Sequence, residues 1–135
     1  MAKSNKKTDK ATRSKIVGVR LDPKLRHGLE LVTRKQHRTI SNYIEALVKH
    51  SLSKIETEDV YEKETITMQE LLDRVWHRDA SERMLNLAFR NPPLMNYEEE
   101  LIWQVIKESD QFWENREKGT GFSASKVRDC WPQLL

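Results

Sequence analysis

The chain has 135 residues, of which 37% are hydrophobic and 33% charged, which is enough for one ordinary domain or two small ones with a modest core. No apolar run approaches the roughly 20 residues of a membrane span, and the N-terminal lysines are not followed by the apolar stretch of a secretory signal, so the sequence predicts a cytoplasmic protein without a membrane partner. The single cysteine, Cys130, excludes an intrachain disulfide.

The net charge of +3 conceals opposite charges in the two parts of the chain. Residues 1–54 contain 14 Lys and Arg against 4 Asp and Glu, a balance of +10, whereas residues 55–135 contain 10 against 17, a balance of −7. All four tryptophans lie in the second part. The sequence therefore predicts two modules, of which the basic one is the candidate for binding a polyanion.

Residues 1–14 are polar and show no periodicity, which predicts a disordered basic arm. The arm either contacts nucleic acid directly or only keeps the protein soluble. Its cationic residues are Lys3, Lys6, Lys7, Lys10 and Arg13.

Residues 15–21 are short, β-branched and alternating, which predicts a strand. One face of this strand is uniformly apolar and requires a core, and the other carries an arginine and a glycine, which favours a close anionic neighbour. The apolar face consists of Val17, Val19 and Leu21, and the opposite face of Ile16, Gly18 and Arg20.

Two amphipathic helices are predicted after this strand. Asp22-Pro23 is typical of a helix start, and the first helix should extend to about Gln36. The second should begin near Ser41, capped by Thr39 or by Ser41 itself, and end near Ser53. The strand has no partner in the same chain, and about 40 residues cannot bury a stable core alone, so a second copy should supply both. The predicted dimer core contains Val17, Val19, Leu21, Leu25, Leu29, Val32, Ile40, Ile44, Leu47 and Val48.

The second part of the chain is predicted to be an acidic all-α module. Residues 54–66 are expected to form a linker before a helical module at 67–135, which serves oligomerisation or partner binding. Thr67-x-x-Glu70 indicates a capped helix start, a break is expected at Asp79–Ser81, and Asn91-Pro92-Pro93 should end the next helix. A further helix should begin at Asn96, bury one stripe from Leu101 to Trp113 and end at Gly119 and Gly121, followed by a short terminal helix.

The run from Lys15 to Leu52 resembles the ribbon-helix-helix superfamily, which includes the Arc repressor and many plasmid and antitoxin regulators. The matching features are the alternating strand, the Asp-Pro helix start, the two short amphipathic helices and the Thr/Ser-bearing turn between them. The likeness covers under a third of the chain. It departs at the turn, where many members carry glycine and this chain carries His37.

The resemblance implies that strands from two subunits pair antiparallel and enter the major groove of double-stranded DNA. The side chains that would face the bases are Ile16, Gly18 and Arg20. The arginine fork can bind guanine O6 and N7 together, Ile16 could contact a thymine methyl group, and Gly18 has no side chain to read a base, so DNA shape and the basic arm gain importance. The second helix would aim its N-terminus at a phosphate. The predicted phosphate-contacting residues are Lys15, Arg38, Thr39, Ser41 and Asn42.

Metal and enzyme chemistry find little support in the sequence. A metal-sensing branch of the superfamily carries a His/Cys cluster in its C-terminal domain, but only His77 and Cys130 lie there in this chain, and neither these residues nor His27, His37 and His50 have close ligand spacing. No Gly-rich phosphate loop or nucleophile motif occurs. We therefore expect no metal, no cofactor and no catalytic residues.

The sequence thus favours a sequence-specific transcriptional repressor that acts as a homodimer, or as a tetramer held together by its C-terminal module. One alternative is an antitoxin, whose C-terminal part neutralises a toxin while its N-terminal part regulates its own transcription. Another is an accessory DNA-binding protein of plasmid transfer or partition.

Overall fold

The structure of the protein, a computed structural model, describes residues 14–135. The predicted basic arm therefore lies outside the described residues, apart from Ser14. The described chain is mainly helical and contains one two-stranded antiparallel sheet. Its elements are α1 (Pro23–Gln36), α2 (Ile40–Lys54), β1 (Glu56–Asp59), β2 (Glu64–Thr67), α3 (Met68–Val75), α4 (Ala80–Arg90), α5 (Tyr97–Glu108) and α6 (Ala124–Leu134), with short 3₁₀ turns at Pro92–Leu94 and Asp110–Phe112.

The first two helices begin and end where the capping residues predict. The Asp22 carboxylate accepts hydrogen bonds from the amides of Lys24 and Leu25, at 2.9 and 3.1 Å, and Pro23 occupies the first helical position. Thr39 caps α2 by accepting a hydrogen bond from the Asn42 amide at 3.1 Å. The predicted helices of the N-terminal part are thereby confirmed.

Residues 14–22 form neither helix nor strand within the described chain. A strand needs a neighbouring strand to satisfy its amides and carbonyls, and residues 14–135 offer none to this segment. The predicted pairing of residues 15–21 with a second copy stays a prediction.

The segment predicted to be a linker is instead the end of α2 followed by a β-hairpin, so the second part of the chain is not all-α. Strands β1 and β2 pair from Glu56 opposite Thr67 to Asp59 opposite Glu64. The hairpin forms because its inward side chains have partners: Ile66 packs with Leu71 and Val75 of α3. The interpretation as a linker was wrong because acidic side chains dominate the segment and conceal this single apolar anchor.

Asp59 joins the hairpin to two helices. Its side chain is fully buried, and one carboxylate oxygen accepts hydrogen bonds from Arg74 of α3 and Arg90 of α4, each at 2.8 Å. The other oxygen accepts from the backbone amides of Tyr61 and Glu62 in the hairpin turn. Burial alone raises the pKa of this carboxyl, but the bonds from Arg74, from the Glu62 amide and from Arg90 outweigh burial and lower the pKa from 3.8 to about 2.

The main hydrophobic core lies between α4, α5 and α6 and involves most of the tryptophans. Its fully buried centre includes Ile106, Phe112 and Val127, around which Trp103, Trp113 and Trp131 pack. Phe122 contacts Phe89, Trp103 and Trp113 with tilted or edge-on rings. The predicted break at Asp79 and the end of α4 before Pro92 are both confirmed.

The helix predicted to begin at Asn96 starts there, with a capping box formed by Asn96 and Glu99, but it ends earlier than predicted, at Glu108. The chain turns at Ser109, where the carbonyl of Ile106 accepts hydrogen bonds from the Ser109 amide at 3.3 Å and from the indole N–H of Trp113 at 3.0 Å. Gly119 and Gly121, both with positive φ, shape a later turn rather than the helix terminus. The predicted single buried stripe was also wrong, because Leu101 and Val105 lie on the exposed side of α5.

We expect Asp59→Asn to lower the free energy of unfolding by about 3 kcal/mol at pH 7, because two arginines lose their buried anion. The folded-state pKa of Asp59 lies below its ordinary value of 3.8, so the contribution of this cluster is present above about pH 4 and is lost as the pH falls toward 2. The difference between wild type and variant should shrink over that interval. Tryptophan fluorescence during urea unfolding at several pH values measures it.

The matched control is Asp129→Asn, which removes an exposed carboxylate from α6. Its effect should stay within about 0.5 kcal/mol at every pH. A loss that is equally large in both variants, or a difference that does not change between pH 5 and 2, would contradict the role given to Asp59.

Candidate nucleic-acid interface

The first unit of the chain leaves its apolar side chains uncovered. Among residues 14–54 only Thr33 is buried, whereas Val17 is 81% exposed and Ile44 is 43% exposed. Leu29 and Val32 are half-buried between α1 and α2. All ten side chains predicted for a dimer core are present on this unit, but within the single chain none of them is buried.

Several of these side chains line one groove. The groove is formed by the extended N-terminal segment together with α1 and α2, and its lining includes two arginines, Arg20 and Arg26. Arg26 was not identified from the sequence. Its position one turn after the predicted helix start could have indicated that it lies near the strand segment. The apolar lining residues are Val17, Val19, Leu21, Leu29, Ile40 and Ile44.

The three residues predicted to face DNA bases are not gathered into one surface by the single chain. Ile16 is completely exposed, and no atom of the described residues comes within 4 Å of a side chain placed at Gly18. Arg20 lines the same groove as Val17 and Val19. The separation of the segment into a core face and a DNA face therefore depends on pairing with another strand.

The turn between α1 and α2 holds four of the five predicted phosphate contacts close together, whereas Lys15 lies apart in residues 14–22, before α1. His37 adopts the left-handed conformation, φ 53° and ψ 44°, and its amide hydrogen-bonds to the end of α1. The Arg38 amide donates to Thr33 at 3.0 Å, and Thr39 then caps α2. Ser41 and Asn42 follow, exposed, in the first turn of α2. Its other first-turn amides have no intrahelical acceptor, as in any helix that binds an anion.

Several cations of this unit have no acidic partner in the described chain. The ion pairs there join Arg26 and His27 to Glu30, and Lys49 to Glu45. Lys15, Arg20 and Arg38 make no ion pair within residues 14–135. The positive charge of the N-terminal part is thus mostly uncompensated locally.

Other classes of site are not apparent in the part of the chain that the structure describes. Residues 14–135 contain no group of three or more His, Cys, Asp or Glu side chains placed to hold a metal ion. None of the helices in this range has the length and apolar character needed to cross a bilayer. A scan against models of protein families finds no match to this chain, and neither do searches of curated proteins and of solved structures.

We expect His37→Gly to raise the free energy of unfolding by about 0.5–1 kcal/mol. A left-handed backbone brings Cβ close to the following carbonyl oxygen, and glycine has no Cβ. Urea unfolding followed by circular dichroism, at one fixed protein concentration, measures the change. The neighbouring Gln36→Gly is the control and should destabilise, because Gln36 has helical geometry. Destabilisation by both changes would contradict the strain at His37.

The sequence predicts that a second copy covers this groove, and on that prediction Ile44→Asp should abolish dimerisation, because Ile44 lines the groove. The single chain tolerates a charge at this partly exposed position, whereas a dimer would bury it at a cost of several kcal/mol. Analytical ultracentrifugation of the full chain distinguishes monomer from dimer. His50→Asp places the same charge on an exposed position of α2 away from the groove and should leave the dimer intact. An Ile44→Asp protein that remains dimeric would contradict the shared core.

Proposed function

We propose that this protein is a sequence-specific DNA-binding repressor, in which two copies pair their residues 15–21 into an antiparallel ribbon that lies in the major groove. The observation that carries the proposal is the uncovered apolar groove of the N-terminal unit. The groove lined by Val17, Ile40 and Ile44 has no cover in the described chain. Exposed apolar surfaces of this kind mark interaction sites.

A second copy fits this groove better than an unrelated partner does. The segment that contributes Val17 and Val19 lacks a strand neighbour, so a symmetric copy supplies the missing ladder and the missing apolar surface together. Pairing also fixes the alternation of the strand, which turns Val17 and Val19 toward the shared core and Arg20 toward solvent on the opposite face.

The surface produced by this pairing has the charge and the shape that DNA requires. The two strands of the ribbon present Arg20 twice, once per half-site, and arginine is a side chain that binds guanine in a bidentate manner. The start of α2 supplies free amides beside Arg38, Ser41 and Asn42 for a phosphate on each side. Gly18 allows a close approach and reads no base, so the proposed specificity rests on Arg20 and on DNA shape.

The acidic second unit argues for a division of labour. Residues 55–135 carry a balance of −7, which repels phosphate, and they have their own core around Phe112. This packed core favours the repressor with a folded C-terminal unit over an antitoxin whose tail orders only on a toxin. An accessory protein of plasmid transfer or partition would use the same N-terminal interface.

We expect Arg20→Ala to reduce affinity for the preferred DNA site by about 1–3 kcal/mol per contact, and for scrambled DNA much less. The preferred site is first selected by the wild-type protein from a pool of random duplexes. Wild type and variant are then titrated against that single site and against its scrambled version at one salt concentration.

The matched control is Arg34→Ala, which removes the same charge from the outward side of α1, away from the groove. It should weaken binding to both duplexes by a similar small factor, as a purely electrostatic contribution does. Equal losses for Arg20→Ala on both duplexes would assign that arginine to phosphate contact, and failure to select any site would overturn the proposed function.

A further inference from the structure

Two helix faces take no part in the core or in the proposed DNA interface. The first is the outward face of α1, which has Leu31 at its centre, 49% exposed. Helical periodicity places Lys24 and Lys35 on the same face, with Arg34 beside them. The only acidic residue of α1, Glu30, is occupied by ion pairs with Arg26 and His27.

The second face is the outward side of α5. Tyr97, Leu101 and Val105 follow each other at intervals of one turn and are 73%, 50% and 50% exposed, whereas Ile106 on the other side is completely buried. Glu98 and Glu108 lie at the two ends of this stripe. An amphipathic helix normally exposes polar residues, so an exposed apolar stripe of this kind indicates a contact surface.

Charge excludes the simplest cover for this stripe, a symmetric pair of α5 helices. Such a pair would bring together Glu98 and Glu108 from both copies, on units that each carry a balance of −7. Like charges at close range disfavour that contact. The cover for α5 should therefore be apolar at its centre and basic at its ends.

The outward face of α1 has this pattern at the right spacing. At 1.5 Å per residue, Lys24 and Lys35 are about 16 Å apart along their helix, and Glu98 and Glu108 are about 15 Å apart along theirs. When the two helices are set antiparallel, with Lys35 beside Glu98, Leu31 and Leu101 fall at nearly the same height. Both ion pairs and the apolar contact then form together.

We propose that α5 of one copy docks antiparallel on the outward face of α1 of a neighbouring copy. The acidic unit of each copy thereby contacts the basic unit of the next. The two surfaces differ, so a copy that docks through its α5 still offers its own α1 face to a further copy, and contacts that are not reciprocated within a pair add copies in a row. Exposed ion pairs contribute little, so the contact is weak in dilute solution and strengthens where copies are concentrated, as on a long polyanion.

The inference does not require DNA binding, so it is tested on the full chain alone. Sedimentation velocity over a range of protein concentrations, at about 50 and about 500 mM salt, should show species larger than the smallest one. Their fraction should rise with concentration and fall at high salt.

Two charge-reversed proteins identify the surfaces. One carries Glu98→Lys with Glu108→Lys, and the other carries Lys24→Glu with Lys35→Glu. Each places one reversed charge near the start and one near the end of its helix, so the effects on the helix macrodipole offset each other. Glu117→Lys with Asp129→Lys, two exposed positions outside α5, is the control for the α5-reversed protein and changes the net charge by the same amount and sign.

Each reversed protein should lose association at least tenfold, the control should keep it, and the protein with all four reversals should regain it. The proposal is overturned if the four reversals do not restore association, or if the wild type never forms species larger than its smallest one. It is also overturned if the α5-reversed protein enhances association of the wild type, because that result would indicate contact between two α5 helices. Circular dichroism verifies folding. If either reversed protein is unfolded, Leu31→Gln and Leu101→Gln replace it, and association that survives both substitutions overturns the proposal.

Discussion

The arrangement of the second unit depends on one buried carboxylate. Asp59 lies at the end of β1, and its two oxygens accept hydrogen bonds from two arginines and two backbone amides that belong to α3, α4 and the hairpin turn. A carboxylate without these partners would be expensive to bury, and the hairpin turn without the carboxylate would leave its amides unsatisfied. Each element therefore requires the others, and α3 and α4 are held at the hairpin edge by chemistry as well as by packing.

The two units of the chain differ in how completely their side chains are buried and their polar groups are hydrogen-bonded. The second unit satisfies its buried polar groups internally: Asn91, also buried, donates to Thr57 and to the Glu58 carbonyl of the neighbouring strand. The first unit has only the caps of α1 and α2 and a half-buried seam between them. The apolar side chains of the first unit therefore remain largely uncovered in the described chain, whereas those around Phe112 in the second unit are buried.

Short-range signals in the sequence predicted the two helices of the first unit, but not a strand that forms within the described chain. Asp22-Pro23 and Thr39 act within three residues of themselves, so the bounds of α1 and α2 follow from local hydrogen bonding. The hairpin could not be predicted in this way, because the interaction that folds it joins Asp59 to Arg90, far apart in the chain, and Asp59 looks like any other residue of an acidic run. The predicted length of α5 was wrong for a similar reason, because the helix end involves a hydrogen bond from the side chain of Trp113 back to Ile106.

The candidate site is predictable only in part. Residue types identify a basic segment with Arg20 and a helix start at Thr39, both of which need no distant contact. The orientation predicted for Arg20 requires the proposed strand pairing with a second copy, and in the described chain the arginine instead lines the groove beside Val17 and Val19. The predicted single stripe of α5 combined apolar residues that lie on two sides of the helix, with Leu101 and Val105 exposed and Ile106 buried.

The connection between the two units is short, because a single residue, Ile55, separates α2 from β1. Ile55 ends α2 and its carbonyl accepts the amide of Met68 at 2.8 Å, so the second helix leads straight into the hairpin and α3 packs back on α2. A short rigid joint of this kind fixes the angle at which each acidic unit projects from its basic unit. If copies line up on a duplex as proposed above, that angle would determine which separations and which rotational phases between neighbouring sites can be filled.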